Sequence, residues 1–194
     1  MEQNIFTLKI SKELSIPVRG VENTLQLLGE GASIPFISRY RKERTGGLDE
    51  VQIAQISEMN EKLTALQKRK DTVINTIKEL QKMTPELQQR IDSCWDANEL
   101  EDIYMPYKPK RRTKAQIARE MGLEPLSQII LLQREQNPDS IAKRFVKGDV
   151  KDAAMAIKGA QDIIAENISE DEKSRHQIRM IFKREAVITS KVVK

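Results

Sequence analysis

An all-α fold is what this sequence predicts: a multi-helix array with a helix-turn-helix-like hairpin and one long spine helix. Three observations predict it. Ile56, Met59, Leu63, Leu66, Val73, Ile77 and Leu80 follow steps of three and four, with Lys70 at the interrupted position, the spacing that aligns one face of a 3.6-residue helix. Most of the 8 glycines and 7 prolines among the 194 residues fall between such stretches, as stop and cap residues do. Aromatics are only 4%, which leaves a core of Leu, Ile, Val, Met and Ala.

Glu2 to Leu14 places Ile5, Phe6 and Leu8 at roughly helical spacing, and Pro17 ends or restarts that segment because its ring removes a backbone donor. From Val18 the positions Val18, Val21, Leu25 and Leu28 form one face of a second helix, which Gly29 and Gly31 terminate. Ser33 caps a third, short helix with Pro35 in its first turn, where a missing amide costs nothing. In that helix Phe36, Ile37 and Tyr40 pack while Arg39, Arg41 and Lys42 point elsewhere. Residues 1–48 thus form a helix-turn-helix-like part, compatible with nucleic-acid docking, although most short helical hairpins of this kind are plain core elements. Gly46-Gly47 breaks the chain and Asp49 opens the spine, residues 49–82, about 50 Å long at 1.5 Å per residue. Its stripe reads as intramolecular core rather than a dimer seam, with Lys70 snorkelling to the surface.

Residues 83–194 form the helical remainder. Thr84-Pro85-Glu86 is cap, first-turn proline and first-turn acid of a helix carrying Leu87, Ile91 and Cys94 or Trp95 inward. Asn98 with Glu101 resembles a capping box for a helix carrying Leu100, Ile103 and Tyr104. Thr113 caps a helix that stops at Gly122, Pro125 starts the next, and Asn137-Pro138-Asp139 makes a turn. Ile141 and Phe145 begin a further helix, and Val150, Ala153, Ile157, Ala160 and Ile164 form a narrow, alanine-rich stripe suited to close helix packing. Ser169 and Glu172 make a capping box for a last helix with Ile178, Ile181 and Phe182. The β-branched end stops at Val192-Val193-Lys194 with neither cap nor polar tail, as a piece of a longer protein would.

The chain holds 39% hydrophobic and 32% charged residues, too apolar for disorder and too polar for membrane insertion. No run approaches the ~20 apolar residues of a membrane span and the N-terminus carries no leader pattern, so a cytoplasmic protein is expected. Cys94 has no cysteine partner and reads as a small core residue. Candidate catalytic groups are lacking: His176 lies on a charged helix face, and the sequence holds no Walker loop, dinucleotide fingerprint or zinc spacing. Glu99, Glu101 and Asp102 form an acidic cluster better suited to capping and dipole roles than to a metal, because two carboxylates seldom complete a magnesium site. A non-enzymatic protein without metal or cofactor is expected.

Net charge is +4, from 33 Lys and Arg against 29 Asp and Glu, so what matters is where cations cluster. One cluster is Arg39, Arg41, Lys42 and Arg44, offset by Glu43. The sharper one runs from Tyr104 to Lys114, where Lys108, Lys110, Arg111, Arg112 and Lys114 occupy seven residues with no acid among them. Pro106 and Pro109 deny this stretch a regular helix and predict a stiff, extended connector. Spaced cations beside Tyr104 and Tyr107 suit phosphates and unstacked bases. The same residues also fit a solvated loop pinned to a helical core by its tyrosines.

The residues Ile34-Pro35-Phe36-Ile37-Ser38-Arg39-Tyr40-Arg41-Lys42-Glu43, followed by Thr45-Gly46-Gly47-Leu48-Asp49, resemble the N-terminal helical region of the bacterial Tex family of transcription accessory proteins. So do Leu100-Glu101-Asp102-Ile103-Tyr104, the run Pro106 to Ala115, Ile117-Ala118-Arg119-Glu120 and Gly122-Leu123-Glu124-Pro125-Leu126. Ile103 and Met105 stand where the family pattern has leucines. The resemblance spans roughly residues 10 to 193. It implies a multidomain cytoplasmic protein in which this region precedes a YqgF-like ribonuclease-H-type domain, helix-hairpin-helix elements and an OB-fold RNA-binding domain, none of them in this chain.

Two functions are expected from these readings. The first is phosphate-backbone binding of RNA or DNA by Arg39, Arg41, Lys42, Arg44, Tyr107, Lys108, Lys110, Arg111, Arg112 and Lys114, with the transcription machinery as a further partner. The alternative is a scaffold that braces the remaining domains of the parent protein, its basic connector paired with internal acids.

Overall fold

The computed structural model describes residues 2–134 and 137–192, with backbone alone at residues 2 and 3. Val193 and Lys194 of the β-branched end lie outside the described residues. Among those described there are twelve α-helices, two 3-10 turns and no strand, so the all-α expectation holds. The chain divides into two compact units, Met1–Lys78 with Met83–Ala97, and Glu79–Lys82 with Asn98–Lys194.

The first unit contains α1 (Glu2–Leu14), α2 (Val18–Gly29), α3 (Ile34–Tyr40), α4 (Lys42–Thr45), α5 (Glu50–Glu79) and α6 (Pro85–Ser93). The spine expected as residues 49–82 therefore groups with the helices before it. Phe6, Ile10, Ile16, Val21, Leu27, Ile37, Leu48, Ile53, Ile56 and Leu63 form one apolar cluster. In α2 the buried positions are Gly20, Val21, Thr24 and Leu27, and Leu25 and Leu28 cover the edge of the cluster. Gly20 is a close-approach site: a Cβ there would stand 2.9 Å from the Thr45 carbonyl oxygen, so the lack of a side chain lets α4 settle on α2. Gly46 follows α4 at φ 78°, a left-handed stop that glycine adopts without strain.

Asp49 and Gln52 exchange reciprocal hydrogen bonds of 2.8 and 3.1 Å at the start of α5, satisfying two otherwise orphaned amides. At 30 residues α5 is about 45 Å long. It ends at Glu79, and Leu80, the last position of the expected stripe, is 42% exposed. Lys70 does not snorkel. Its side chain is buried, its Nζ donates to the Asp92 carbonyl at 2.8 Å and lies 4.6 Å from the Trp95 ring centroid. A cap of carbonyl and indole face solvates the ammonium in place of water, and the burial pulls its pKa below the usual lysine value. Cys94 is buried, as expected.

The second unit contains α7 (Ala97–Tyr104, from Asn98 on), α8 (Lys114–Glu120), α9 (Glu124–Leu131), α10 (Pro138–Ala142), α11 (Ala153–Glu170) and α12 (Glu172–Glu185). Ala115, Ala118, Leu123, Leu126, Ala142, Val150, Ala156, Ala160 and Ile163 form its core. The small-residue face of α11 is thus Ala156, Ala160 and Ile163, one step round from the stripe expected through Ile157 and Ile164. The reason is Gly159, where a Cβ would meet the Ala118 Cβ at 3.2 Å, so the glycine selects the face that touches α8. The helix expected from Ile141 is only α10 plus one 3-10 turn, Lys143–Phe145.

The caps divide in the same way. Thr84 accepts from the Leu87 amide and Thr113 from the Gln116 amide, as expected. Ser33 makes no side-chain cap bond, and Asn98 lies inside α7 rather than ahead of it. Ser169 belongs to α11; Asp171 caps α12 instead, accepting from the Ser174 amide at 2.7 Å. No residue of α12 is buried.

Candidate nucleic-acid interface

In the first unit the cations lie on α3, at the bend after it, and on α4. Ile37 and Ser38 are the buried residues of α3, so the opposite face of this short helix is open. The basic stretch is not one helix, because Arg41 takes φ −130° and ψ 23° and breaks it into two. Arg39 and Lys42 are exposed, and their side chains make no hydrogen bond or ion pair among the described residues. Arg41 donates to the Tyr40 carbonyl at 3.0 Å, with its guanidinium carbon 4.9 Å from the Phe36 centroid. Arg44 meets Glu30 at 3.9 Å, both about half exposed, a contact of little energetic consequence. Phe36 and Tyr40, expected to pack inward, instead face solvent at 39% and 66% exposure.

In the second unit the expected extended connector is shorter than the sequence suggests. Met105–Tyr107 closes a 3-10 turn, which Pro106 tolerates because first-turn positions need no amide. Lys114 is already the first residue of α8. Tyr104 is buried at 6% and Tyr107 half-buried, so Tyr104 anchors the stretch and offers no ring to a base.

Acids from elsewhere in the unit neutralise part of the run. Lys110 pairs with Glu170 of α11, and Arg112 holds Glu120 at 2.5 and 3.2 Å, which lowers the Glu120 pKa through that hydrogen bond. Thr113 Oγ1 donates to Glu166 at 2.8 Å while its lone pair caps α8. Arg119 joins Glu166, Glu124 and Asn167. Partial burial opposes ionisation of Glu166, but the bonds from Arg119 and Thr113 and the charge of Lys110 outweigh it and hold its pKa low. Lys108, Arg111 and Lys114 are exposed with no acidic partner among the described residues.

The pattern divides the ten expected site residues. Arg39, Lys42, Lys108, Arg111 and Lys114 present unpaired charge; Arg41 is charged but engaged with a ring; Arg44 is loosely paired; Lys110 and Arg112 are tied to carboxylates; Tyr107 is half covered. Sequence reasoning missed the Arg119–Glu166 pair and the outward rings of Phe36 and Tyr40. The signal for the rings was present, since Phe36 and Tyr40 are four residues apart and share a helix face that excludes Ile37. Asp102, assigned a capping role, is buried and held by Arg175 and Arg179, each at 2.6 Å. Its carboxylate is committed to α12 rather than to a helix end.

Two family models match the chain: the Tex-like protein N-terminal domain over residues 4–78 and the Tex central region-like model over residues 133–194. The chain is 40% identical over 184 residues to the transcriptional accessory protein Tex of Neisseria gonorrhoeae, covering 95% of this chain and 24% of that protein. It is 39% identical over 187 residues to protein tex of Bordetella pertussis, with the same coverage. It is 32% identical over 177 residues to human S1 RNA-binding domain-containing protein 1, covering 89% of this chain and 18% of that one. The chain thus spans about a quarter of the length of the bacterial relatives. The two family matches and the similarity over 95% of the chain to the Neisseria and Bordetella proteins lead to one conclusion: this chain belongs to the Tex family.

Proposed function

We propose that this region is a non-enzymatic nucleic-acid-binding part of a cytoplasmic transcription accessory protein and grips phosphate backbones through its unpaired cations. The supporting observation is that Arg39 and Lys42 in one unit, and Lys108, Arg111 and Lys114 in the other, are exposed with no carboxylate against them among the described residues. Such charges gain most from phosphates, because binding releases condensed counterions and breaks no internal pair. Arg44 adds to the cations of the first unit and Tyr107 to those of the second, where Lys110 and Arg112 hold the connector on acids of the same unit. The names of the relatives support the reading: two are transcription accessory proteins and the human one is named for an RNA-binding domain. No helix among the described residues is long and apolar enough to cross a membrane.

The test is a salt titration of this chain with RNA and duplex DNA. Reversing Lys108, Arg111 and Lys114 to Glu should flatten log Kd against log salt by about 2 to 3 on duplex DNA, at roughly 0.9 for each phosphate no longer neutralised. Unchanged affinity and slope reject the assignment. The scaffold reading is favoured by one observation, the internal pairing of Lys110 and Arg112. Its signature is absence of binding to either nucleic acid at low salt.

A further inference from the structure

The outward face of α3 carries a feature the phosphate grip does not use. Phe36 and Tyr40 stand four residues apart on that helix and meet ring to ring, with centroids 5.4 Å apart and planes inclined by 45°. Single exposed apolar side chains need no explanation. Two rings in contact, one under the Arg41 guanidinium, with the unpaired Arg39 next to Tyr40 in the chain and Lys42 two residues after it, form a composed surface. Phe36 is steadied from two sides, by Arg41 and by Tyr40, and so loses little freedom when a ligand arrives. Tyr40, 66% exposed, is the open platform. Ile37 on the opposite side is fully buried, which fixes the helix and prevents the rings from turning inward.

We infer that Phe36 and Tyr40 form a stacking site for an unpaired base of single-stranded nucleic acid, with Arg39 and Lys42 on the flanking phosphates. This deepens the nucleic-acid reading and rests on it. The chemistry selects the ligand: a π-face beside cations matches a base with its phosphates, whatever the base, because every base offers a flat ring. A duplex keeps its bases stacked on one another and has none to give. An apolar protein surface would bury the rings and strand Arg39 and Lys42 without partners, which costs desolvation.

The experiment measures binding of labelled oligo(dT), and of a duplex of equal length, to this chain and its variants by fluorescence anisotropy at low salt. Tyr40→Leu and Phe36→Leu keep apolar bulk and remove the ring; Tyr40→Phe keeps the ring. Tyr40→Leu should weaken oligo(dT) binding about five- to a hundredfold, as loss of one base stack does. Tyr40→Phe should stay within about twofold, and duplex affinity and the salt slope of every ring variant should be unchanged. Leucine variants that bind oligo(dT) like the parent, or that lose duplex binding equally, overturn the stacking site while leaving the phosphate grip standing. A parent chain that binds neither ligand at low salt rejects both. Because both rings are solvent-facing, circular dichroism and the unfolding midpoint should match the parent and confirm that the variants fold.

Discussion

Asp102, 2% exposed, lies between the guanidiniums of Arg175 and Arg179, which keep 33% and 24% of their side-chain surface. The asymmetry sets what substitution does. Removing the carboxylate breaks both charge-assisted hydrogen bonds at once and leaves two neighbouring cations without their counter-charge, whereas removing one arginine leaves the buried acid still held by the other. Asp102→Ala should therefore cost about 2–4 kcal/mol and Arg175→Gln about 1 kcal/mol, read as shifts in the urea midpoint at constant m. Lys70 yields a pH-dependent case. Its folded pKa lies below the ordinary value of 10.5 because burial penalises the ammonium. Between the folded and unfolded values the unfolded chain binds more protons, so this lysine's destabilising effect is full at neutral pH and relieved as pH rises toward 10.5. Lys70→Met should remove that relief: the parent gains stability relative to the variant between pH 7 and pH 10, and a flat difference would exclude the linkage. Neither residue's environment was legible in the sequence. Lys70 interrupts an apolar stripe, which reads as an escape to solvent, and its carbonyl partner comes from 22 residues away. Asp102 looked like one of three acids near a helix start, and its partners lie more than 70 residues on.

Helices were more legible than the contacts between them. Spacing of apolar residues, Pro at first-turn positions and Thr84 and Thr113 as caps located elements because each is decided within four or five residues. Ser33 holds the expected N-cap position without making the side-chain bond, whereas Asn98 and Ser169 failed as caps for the converse reason: a small polar residue near a helix start is common, and the local chain decides which one lies outside the first turn. What sequence spacing does not carry is how near two helices come. Gly20 is the clearest instance, a helical glycine 2.9 Å, by its missing Cβ, from a backbone oxygen of α4. Gly20→Ala gains about 1 kcal/mol of helix propensity and must push α4 outward, since a carbonyl cannot swing aside as a side-chain tip does. The expected net result is a loss of about 1–2 kcal/mol by chemical denaturation. Backbone amides of Arg44 and Thr45 should also exchange faster, because α4 is only 4 residues long and rests on that contact.

At the scale of the whole chain, membership of the Tex family was legible from contiguous runs of residues, and the all-α class from periodicity. The working part of the basic run was not. All five cations in the stretch from Lys108 to Lys114 were expected on phosphates, yet acids at 120 and 170 hold two of them. The separation of 60 residues between Lys110 and Glu170 is bridged by packing of α8 on α11, which the alanine-rich stripe hinted at and did not specify. The salt slope is the whole-chain measure of this division, since it counts charges available to a ligand rather than charges written in the sequence.

The carboxylates that hold Lys110 and Arg112 have a consequence in time as well as in strength. On the proposed reading, a strand held by so few ionic contacts detaches readily, and affinity differences of this kind are expressed mostly in how quickly a complex falls apart. On that reading the surface would guide a passing polymer and let it advance rather than hold it fast.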